Sequence, residues 1–247
     1  MIAIDYPTNA AGEPDRLSAI TIGDLASALR QQIAGNAARP ITIKAITTRT
    51  RLIAVNGRSL RIAWDIEHEV SDDSGQPVLG ACTYDPDAPG TIMIYVNGKL
   101  LSDRPEVLRS TAVHEFAHAI FDMPTAFAHP AYRAFRTTNE RARSNQGIRE
   151  DWTEWRADEF MGAFLVPPTR LAKAVAAYAP AMGLRFGWRQ DARGRPVTFV
   201  DATPDSESVG WLVDQLAEAF GVTSAFMATR LRRGGFIGRP RAEESAR

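Results

Sequence analysis

The chain has 247 residues, of which 45% are hydrophobic and 23% charged, enough to bury one substantial core. Its 29 basic and 29 acidic residues balance, which argues against binding to nucleic acid or to an anionic membrane through overall charge. A single cysteine, Cys82, excludes an intrachain disulfide framework and is typical of a reducing compartment. The sequence shows neither a signal-peptide pattern nor a run of roughly twenty apolar residues, so we expect a cytoplasmic protein.

The first part of the sequence predicts one helix followed by a sheet. Residues 1–17 resemble a loose leader, and residues 21–35 carry apolar residues at helical spacing up to Gly35. The next segments are rich in β-branched and aromatic residues and alternate with turn sequences, which predicts a small, mostly antiparallel sheet. They are ITIKAI (41–46), SLRIAWDI (59–66), PVLGACTY (77–84) and TIMIYVN (91–97).

The rest of the sequence is mainly helical in pattern. Residues 102–122 predict a buried helix, capped by Ser102 or Asp103 and ended before Pro124. A polar loop within 125–150, helices over 151–166 and 169–179, a hairpin around Gly194 and two short helices around Gly221 follow. We therefore predict an α+β fold, with a core domain over residues 1–170 and a helical and hairpin elaboration over residues 171–247 that packs on it.

Two of the four histidines lie in the pattern HEFAH, residues 114–118. A helix turns once in about 3.6 residues, so His114 and His118 share a face and reach one ion at roughly 2.0–2.1 Å. Glu115 lies about 100° around the helix, and in zinc hydrolases with this pattern that residue contacts the metal's water. The alternative is a pair of buried histidines held by hydrogen bonds. The spacing, the intervening acid and the buried helix together favour a metal site.

A catalytic zinc ion needs a third protein ligand and one open position. The continuation HxxGxxH is excluded, because Phe121 and Pro124 stand where glycine and histidine are required. A carboxylate from the following helix is the other solution, although acids there also suit a solvated helix start. Five acids are available: Glu150, Asp151, Glu154, Asp158 and Glu159. The four-residue spacing of Glu154 and Asp158 lets one bind the ion while the other accepts a hydrogen bond from a ligand imidazole.

The segments RSTAVHEFAHAIF and EWRADEFMGAFLVP together resemble the ImmA/IrrE family of metallopeptidases, over about residues 40–170. In that family a helix ending in HExxH precedes a helix of the form ExxAxxFAxxLLxP. Five residues of the second segment fall on this pattern: Glu154, Ala157, Phe160, Leu165 and Pro167. Phe116 and Ala117 replace the usual leucine and glycine of the first.

The resemblance implies a zincin-type zinc endopeptidase, with manganese or another divalent ion as the alternative metal. It implies that His114, His118 and Glu154 hold the ion and that Glu115 is the catalytic acid–base. The implied substrate is a partner helix-turn-helix transcriptional repressor, cut to derepress stress or mobile-element genes. The strand TIMIYVN is expected to pair with an extended substrate segment. The competing hypothesis is a metal-dependent regulatory or toxin-like protein that binds its partner without proteolysis.

The remaining features have simpler interpretations. His129 and Tyr132 are candidates for stabilising the oxyanion, although a loop histidine is commonly a surface residue. His68 has no second histidine four residues on and is expected at a surface strand end, and Cys82 is expected in the core. The helix-glycine-helix pattern around Gly221 resembles a DNA reader, but its second helix is mainly apolar, so we do not predict DNA binding.

Overall fold

The computed structural model describes residues 1–35, 39–72, 74–84, 88, 90–128, 136–138, 148–190, 194, 196–201 and 206–237. The chain forms two compact units, Met1–Leu165 and Val166–Arg247, and has an α+β fold. Among the described residues, no helix combines the length and apolar character that crossing a membrane requires.

The first unit contains a sheet with the strand order β1-β2-β3-β5-β4-β6 and the helices that accompany it. Its elements are β1 (Ile2–Ile4), α1 (Ala19–Ala34), α2 (Ile43–Arg49), β2 (Leu52–Val55), β3 (Arg58–Asp65), β4 (Gly80–Tyr84), β5 (Thr91–Val96), α3 (Pro105–Phe121), α4 (Met123–Ala128), β6 (Arg136–Thr138) and α5 (Ile148–Leu165).

The sheet is mixed: three of its five strand pairings are antiparallel, in keeping with the predicted majority, and two are parallel. β1 and β2 are parallel. β3 and β5 are also parallel, because β5 lies between β3 and β4 and pairs with β4 in the antiparallel direction. β2 and β3 form a tight hairpin through Asn56 and Gly57, whose φ angles of 47° and 75° suit a two-residue turn. Since β3 and β4 occupy both edges of β5, the prediction that TIMIYVN pairs with a substrate segment is wrong.

Two local predictions near the N-terminus are also wrong. Residues 1–17 are not a loose leader: they supply β1, and the buried Tyr6 donates a hydrogen bond from its hydroxyl to the carbonyl of Ile120. The segment ITIKAI is not a strand. Its residues 43–46 form the start of α2, because the Thr42 side chain accepts a hydrogen bond from the amide of Ala45. This N-cap starts a helix in spite of the β-branched residues.

Helix α3 lies in the core of the first unit, as its apolar faces predict. Every residue from Thr111 to Phe121 is buried, and the Phe116 ring packs 6.0 Å from that of Trp64 on β3. The predicted caps are wrong, since Arg104 holds the N-cap position and makes no side-chain capping bond. Pro105 occupies the first turn, where a missing amide hydrogen costs nothing.

The second unit contains the predicted hairpin and terminal helices. Its elements are α6 (Pro168–Tyr178), a short 3-10 helix (Ala179–Met182), β7 (Arg185–Gln190), β8 (Pro196–Asp201), α7 (Glu207–Phe220) and α8 (Ser224–Arg233). Gly221 ends α7 with a φ of 62°, a left-handed conformation that glycine adopts without strain. The packing of this unit on the first stays a prediction.

Candidate metal centre

Two helices of the first unit bring the three predicted ligands together. α3 carries His114 and His118 one turn apart, and α5 packs against α3 through the buried Phe160. The Phe160 ring lies 5.6 Å from Phe121 and 6.4 Å from Phe116, both on α3. Because this apolar contact fixes the position of α5, Glu154 reaches the two imidazoles.

The ligand atoms have the separations that one tetrahedral ion requires. His114 Nε2 lies 3.1 Å from His118 Nε2 and 3.2 Å from Glu154 Oε2. His118 Nε2 lies 3.4 Å from Glu154 Oε1. Two ligands of a tetrahedral ion with bonds of 2.0–2.1 Å are about 3.3 Å apart. The two nitrogens and the carboxylate therefore fit a single divalent ion, and these residues form a candidate metal site.

A carboxylate holds the other nitrogen of each imidazole. His118 Nδ1 lies 2.6 Å from Asp122 Oδ2, and His114 Nδ1 lies 3.4 Å from Asp158 Oδ1. Such partners place the proton on Nδ1 and leave Nε2 to bind a metal. Asp158 thus lies where the sequence predicts an outer partner. Asp122 was missed, although it follows His118 by the same four residues that separate the two histidines.

Charge within the site is balanced by protons in this arrangement. Burial alone would lower the pKa of His118, but hydrogen bonds to Asp122 and Glu154 outweigh it and raise that pKa to about 10. Burial alone would also lower the pKa of His114, but hydrogen bonds to Asp158 and Glu154 outweigh it and raise that pKa. Burial alone would raise the pKa of Glu154, but its hydrogen bonds with the two histidines hold it well below the usual range. A metal ion must displace the imidazole protons, so metal binding releases protons.

Glu115 lies beneath strand β4. Its relative exposure is 0%, and its charge contributes to the raised pKa of His114. Gly80 on β4 makes room for it: a Cβ atom at residue 80 would lie 2.9 Å from Glu115 Cγ and Oε1 and 2.7 Å from Thr111 Cγ2. Glycine at position 80 is therefore required for the observed placement of the Glu115 carboxylate.

The other candidate residues divide into three groups. His129 and Tyr132 lie outside the described residues, as do most of the predicted polar loop and the side chains of Glu150 and Asp151. Glu159 is buried on α5 but does not belong to the group that could hold an ion. His68 is exposed beyond the end of β3 and Cys82 is buried in β4, as predicted.

The fold and site define an α+β protein with a candidate centre for one divalent metal ion. No protein-family model matches the chain, and a search of curated proteins finds no similar sequence. Its likeness to the ImmA/IrrE metallopeptidases is therefore carried by the two helical motifs and stays a proposal.

Proposed function

We propose that the protein is a zinc-dependent endopeptidase of the ImmA/IrrE type. The observation that carries the proposal is the set of three ligand residues: the two Nε2 atoms lie 3.1 Å apart, and each lies 3.2 or 3.4 Å from an oxygen of Glu154. A buried glutamate directly follows the first histidine. Two neutral imidazoles and one carboxylate are the ligands that hydrolytic zinc sites use. The motif residues on α3 and α5 support the family assignment.

We propose the following roles for the chain's own residues. When bound, zinc would act as a Lewis acid and lower the pKa of water towards about 7. His114, His118 and Glu154 hold the ion, while Asp158 and Asp122 orient the two imidazoles. Glu115 takes the proton of the attacking water and gives it to the leaving amine nitrogen.

We propose a helix-turn-helix transcriptional repressor as the substrate, cut in the cytoplasm to derepress stress or mobile-element genes. The resemblance of the two helical motifs supports this substrate. The single buried cysteine is in keeping with a reducing compartment.

The test compares the wild-type chain with Glu115→Gln, using purified repressors encoded beside it as substrates. Glutamine keeps the size of the side chain but cannot carry the proton, so this variant should fold, retain zinc and leave the repressor intact. The matched control is Glu159→Gln, which changes another buried glutamate that lies outside the ligand group. It should cleave like the wild type. Equal cleavage by Glu115→Gln would remove Glu115 from the mechanism.

A metal-dependent binding protein without proteolysis is the second candidate. The full burial of Glu115 beneath Gly80 favours it, because water does not reach this carboxylate from the surface in the present conformation. This candidate predicts a zinc-dependent complex with the repressor in which both chains keep their full length. Mass spectrometry of the mixture separates the two functions.

A further inference from the structure

We propose that Arg156 and Asp122 are positioning residues that set the metal affinity of the site by holding His118. The proposal rests on the metal-binding part of the proposed function and does not require proteolysis. It concerns the connection between the two ligand-bearing helices, which the ligand set itself does not explain.

A continuous chain of contacts runs from α5 to the metal-facing nitrogen of His118. Arg156 donates a hydrogen bond from Nη2 to Asp122 Oδ1. The other oxygen of Asp122 lies 2.6 Å from His118 Nδ1. This leaves His118 Nε2 directed to His114 and Glu154. The orientation of the imidazole is thus connected to a guanidinium on the other helix.

The chain of contacts is buried and held in place. The Asp122 and Arg156 side chains are 4% and 12% exposed, so solvent screens their interaction weakly. The guanidinium also lies over the Phe121 ring, with its central carbon 5.2 Å from the ring centroid. Phe121 and Asp122 are adjacent at the end of α3, so Arg156 fixes this end of the helix through both.

Arg156 stands two residues after Glu154 on the same helix. The segment of α5 that supplies the third ligand therefore also holds the second histidine. A displacement of α5 would remove Glu154 and release His118 together. The contact of Arg156 with Asp122 is therefore more than a local ion pair, because its loss affects the ligand geometry on both helices.

Removing the guanidinium should weaken metal binding. It takes a hydrogen-bond donor from Asp122 Oδ1, so α5 no longer holds this carboxylate in its orientation towards His118. A carboxylate that can turn holds His118 Nδ1–H less firmly, and a less firmly held imidazole is a weaker ligand. If Arg156 acts through Asp122, its loss should have no added effect once Asp122 has been replaced.

The experiment measures zinc affinity of the full chain by competition with a chromophoric chelator, for Arg156→Met, Asp122→Asn and the double variant. Asp122→Asn should weaken zinc binding roughly 10- to 100-fold, the usual cost of losing an outer partner. Arg156→Met, which keeps the packing on Phe121, should weaken it by about tenfold or less but measurably. The double variant should bind zinc as Asp122→Asn does.

Two substitutions serve as matched controls. Asp65 also accepts from a histidine, with 2.9 Å between Oδ1 and His68 Nδ1, and Arg170 also lies over a phenylalanine ring, that of Phe220 in the second unit. Asp65→Asn and Arg170→Met should bind zinc like the wild type. In cobalt-loaded protein, Arg156→Met should also shift the visible absorption bands, which report coordination geometry, while the controls should not.

A purely structural role gives a different result. Unchanged zinc affinity and an unchanged cobalt spectrum in Arg156→Met, with only a lower melting temperature, would overturn the proposal. If the losses of zinc affinity in the two single variants add up in the double variant, the proposal is also overturned, because Arg156 would then act independently of Asp122.

If Arg156→Met does not fold, Arg156→Lys replaces it, since lysine keeps the charge with a different reach. Arg156→Lys should fold and bind zinc more weakly than the wild type, and wild-type affinity would contradict the proposal. A wild-type chain that binds zinc but cleaves nothing contradicts only the proposed function.

Discussion

The Nε2 atoms of His114 and His118 lie 3.1 Å apart, about the separation of two ligands on one tetrahedral ion. Each ring is held from behind by an aspartate, His114 by Asp158 and His118 by Asp122. The arrangement directs two metal-binding nitrogens to one point, to which Glu154 adds a carboxylate oxygen.

Removal of a ligand should remove the metal. Protein purified without chelator should contain about one zinc-like ion per chain. His114→Ala and His118→Ala should abolish binding, and Glu154→Ala should weaken it strongly, whereas the exposed His68→Ala should keep the wild-type content. Elemental analysis measures this directly. Full occupancy in Glu154→Ala would transfer the third position to another acid, Asp158 first.

An added methyl group at Gly80 should disturb catalysis without removing the metal. Alanine there would collide with Thr111 and with the Glu115 side chain, so the carboxylate must move. A misplacement of about 1 Å can reduce turnover by about 100-fold, and overpacking of this kind costs about 1–3 kcal/mol of stability.

The matched control for this change is Gly210→Ala on α7, where an added Cβ meets no described atom within 4 Å. Repressor cleavage and zinc content are measured on both variants. Wild-type turnover by Gly80→Ala would show that the position of Glu115 in this structure does not matter for the reaction.

The stability of the metal-free protein should fall as the solution becomes alkaline. The folded pKa of His118 is about 10, against an ordinary value of 6.5. A raised pKa stabilises the fold fully below 6.5, and this contribution disappears as pH rises through 10. Melting temperatures with chelator should decline across that range. With zinc bound the imidazole is already neutral, so the decline attributable to His118 should disappear; parallel declines with and without zinc would contradict this assignment.

The two terminal helices should contribute to stability rather than to DNA binding. Leu212, Leu216 and Phe220 on α7 and Met227 and Leu231 on α8 are buried. Truncation after residue 205 should therefore expose apolar surface and lower the melting temperature. The three arginines in the last turn of α8 suit the negative end of a helix without nucleic acid.

Binding to duplex DNA tests this interpretation. Neither the full chain nor the truncated one should bind. A full-length protein that binds DNA with a steep salt dependence, together with a folded truncated form that does not, would assign α7 and α8 to DNA recognition.

The sequence predicts the metal site better than the sheet, for a physical reason. His114 and His118 lie on one helix, where local geometry alone puts them on one face, and Glu154 and Asp158 follow the same rule. Asp122 obeys this rule too and could have been found by extending the four-residue spacing once more. The pairing of Arg156 with Asp122 joins two helices, so no local pattern indicates it.

The errors in the sheet have a different origin. The place of β5 between β3 and β4 depends on contacts distant in sequence, and alternation of apolar residues does not encode strand order. The segment ITIKAI has strand propensity, but the Thr42 N-cap and the burial of Ile46 favour a helix. Nothing in the sequence around Gly80 indicates that glycine is required there. The requirement becomes visible only in the structure, where the Glu115 side chain occupies the space of a Cβ atom.

Proteolysis is tested by the mass of a repressor after incubation with the zinc-loaded chain in water enriched in heavy oxygen. We predict two fragments, with one heavy oxygen atom in the new carboxyl terminus, because water attacks the peptide carbonyl. Glu115→Gln, loaded with the same amount of zinc, should leave the repressor whole. A repressor that stays intact with the zinc-loaded wild-type chain, although the two proteins bind each other, would contradict the proposal that the protein is an endopeptidase.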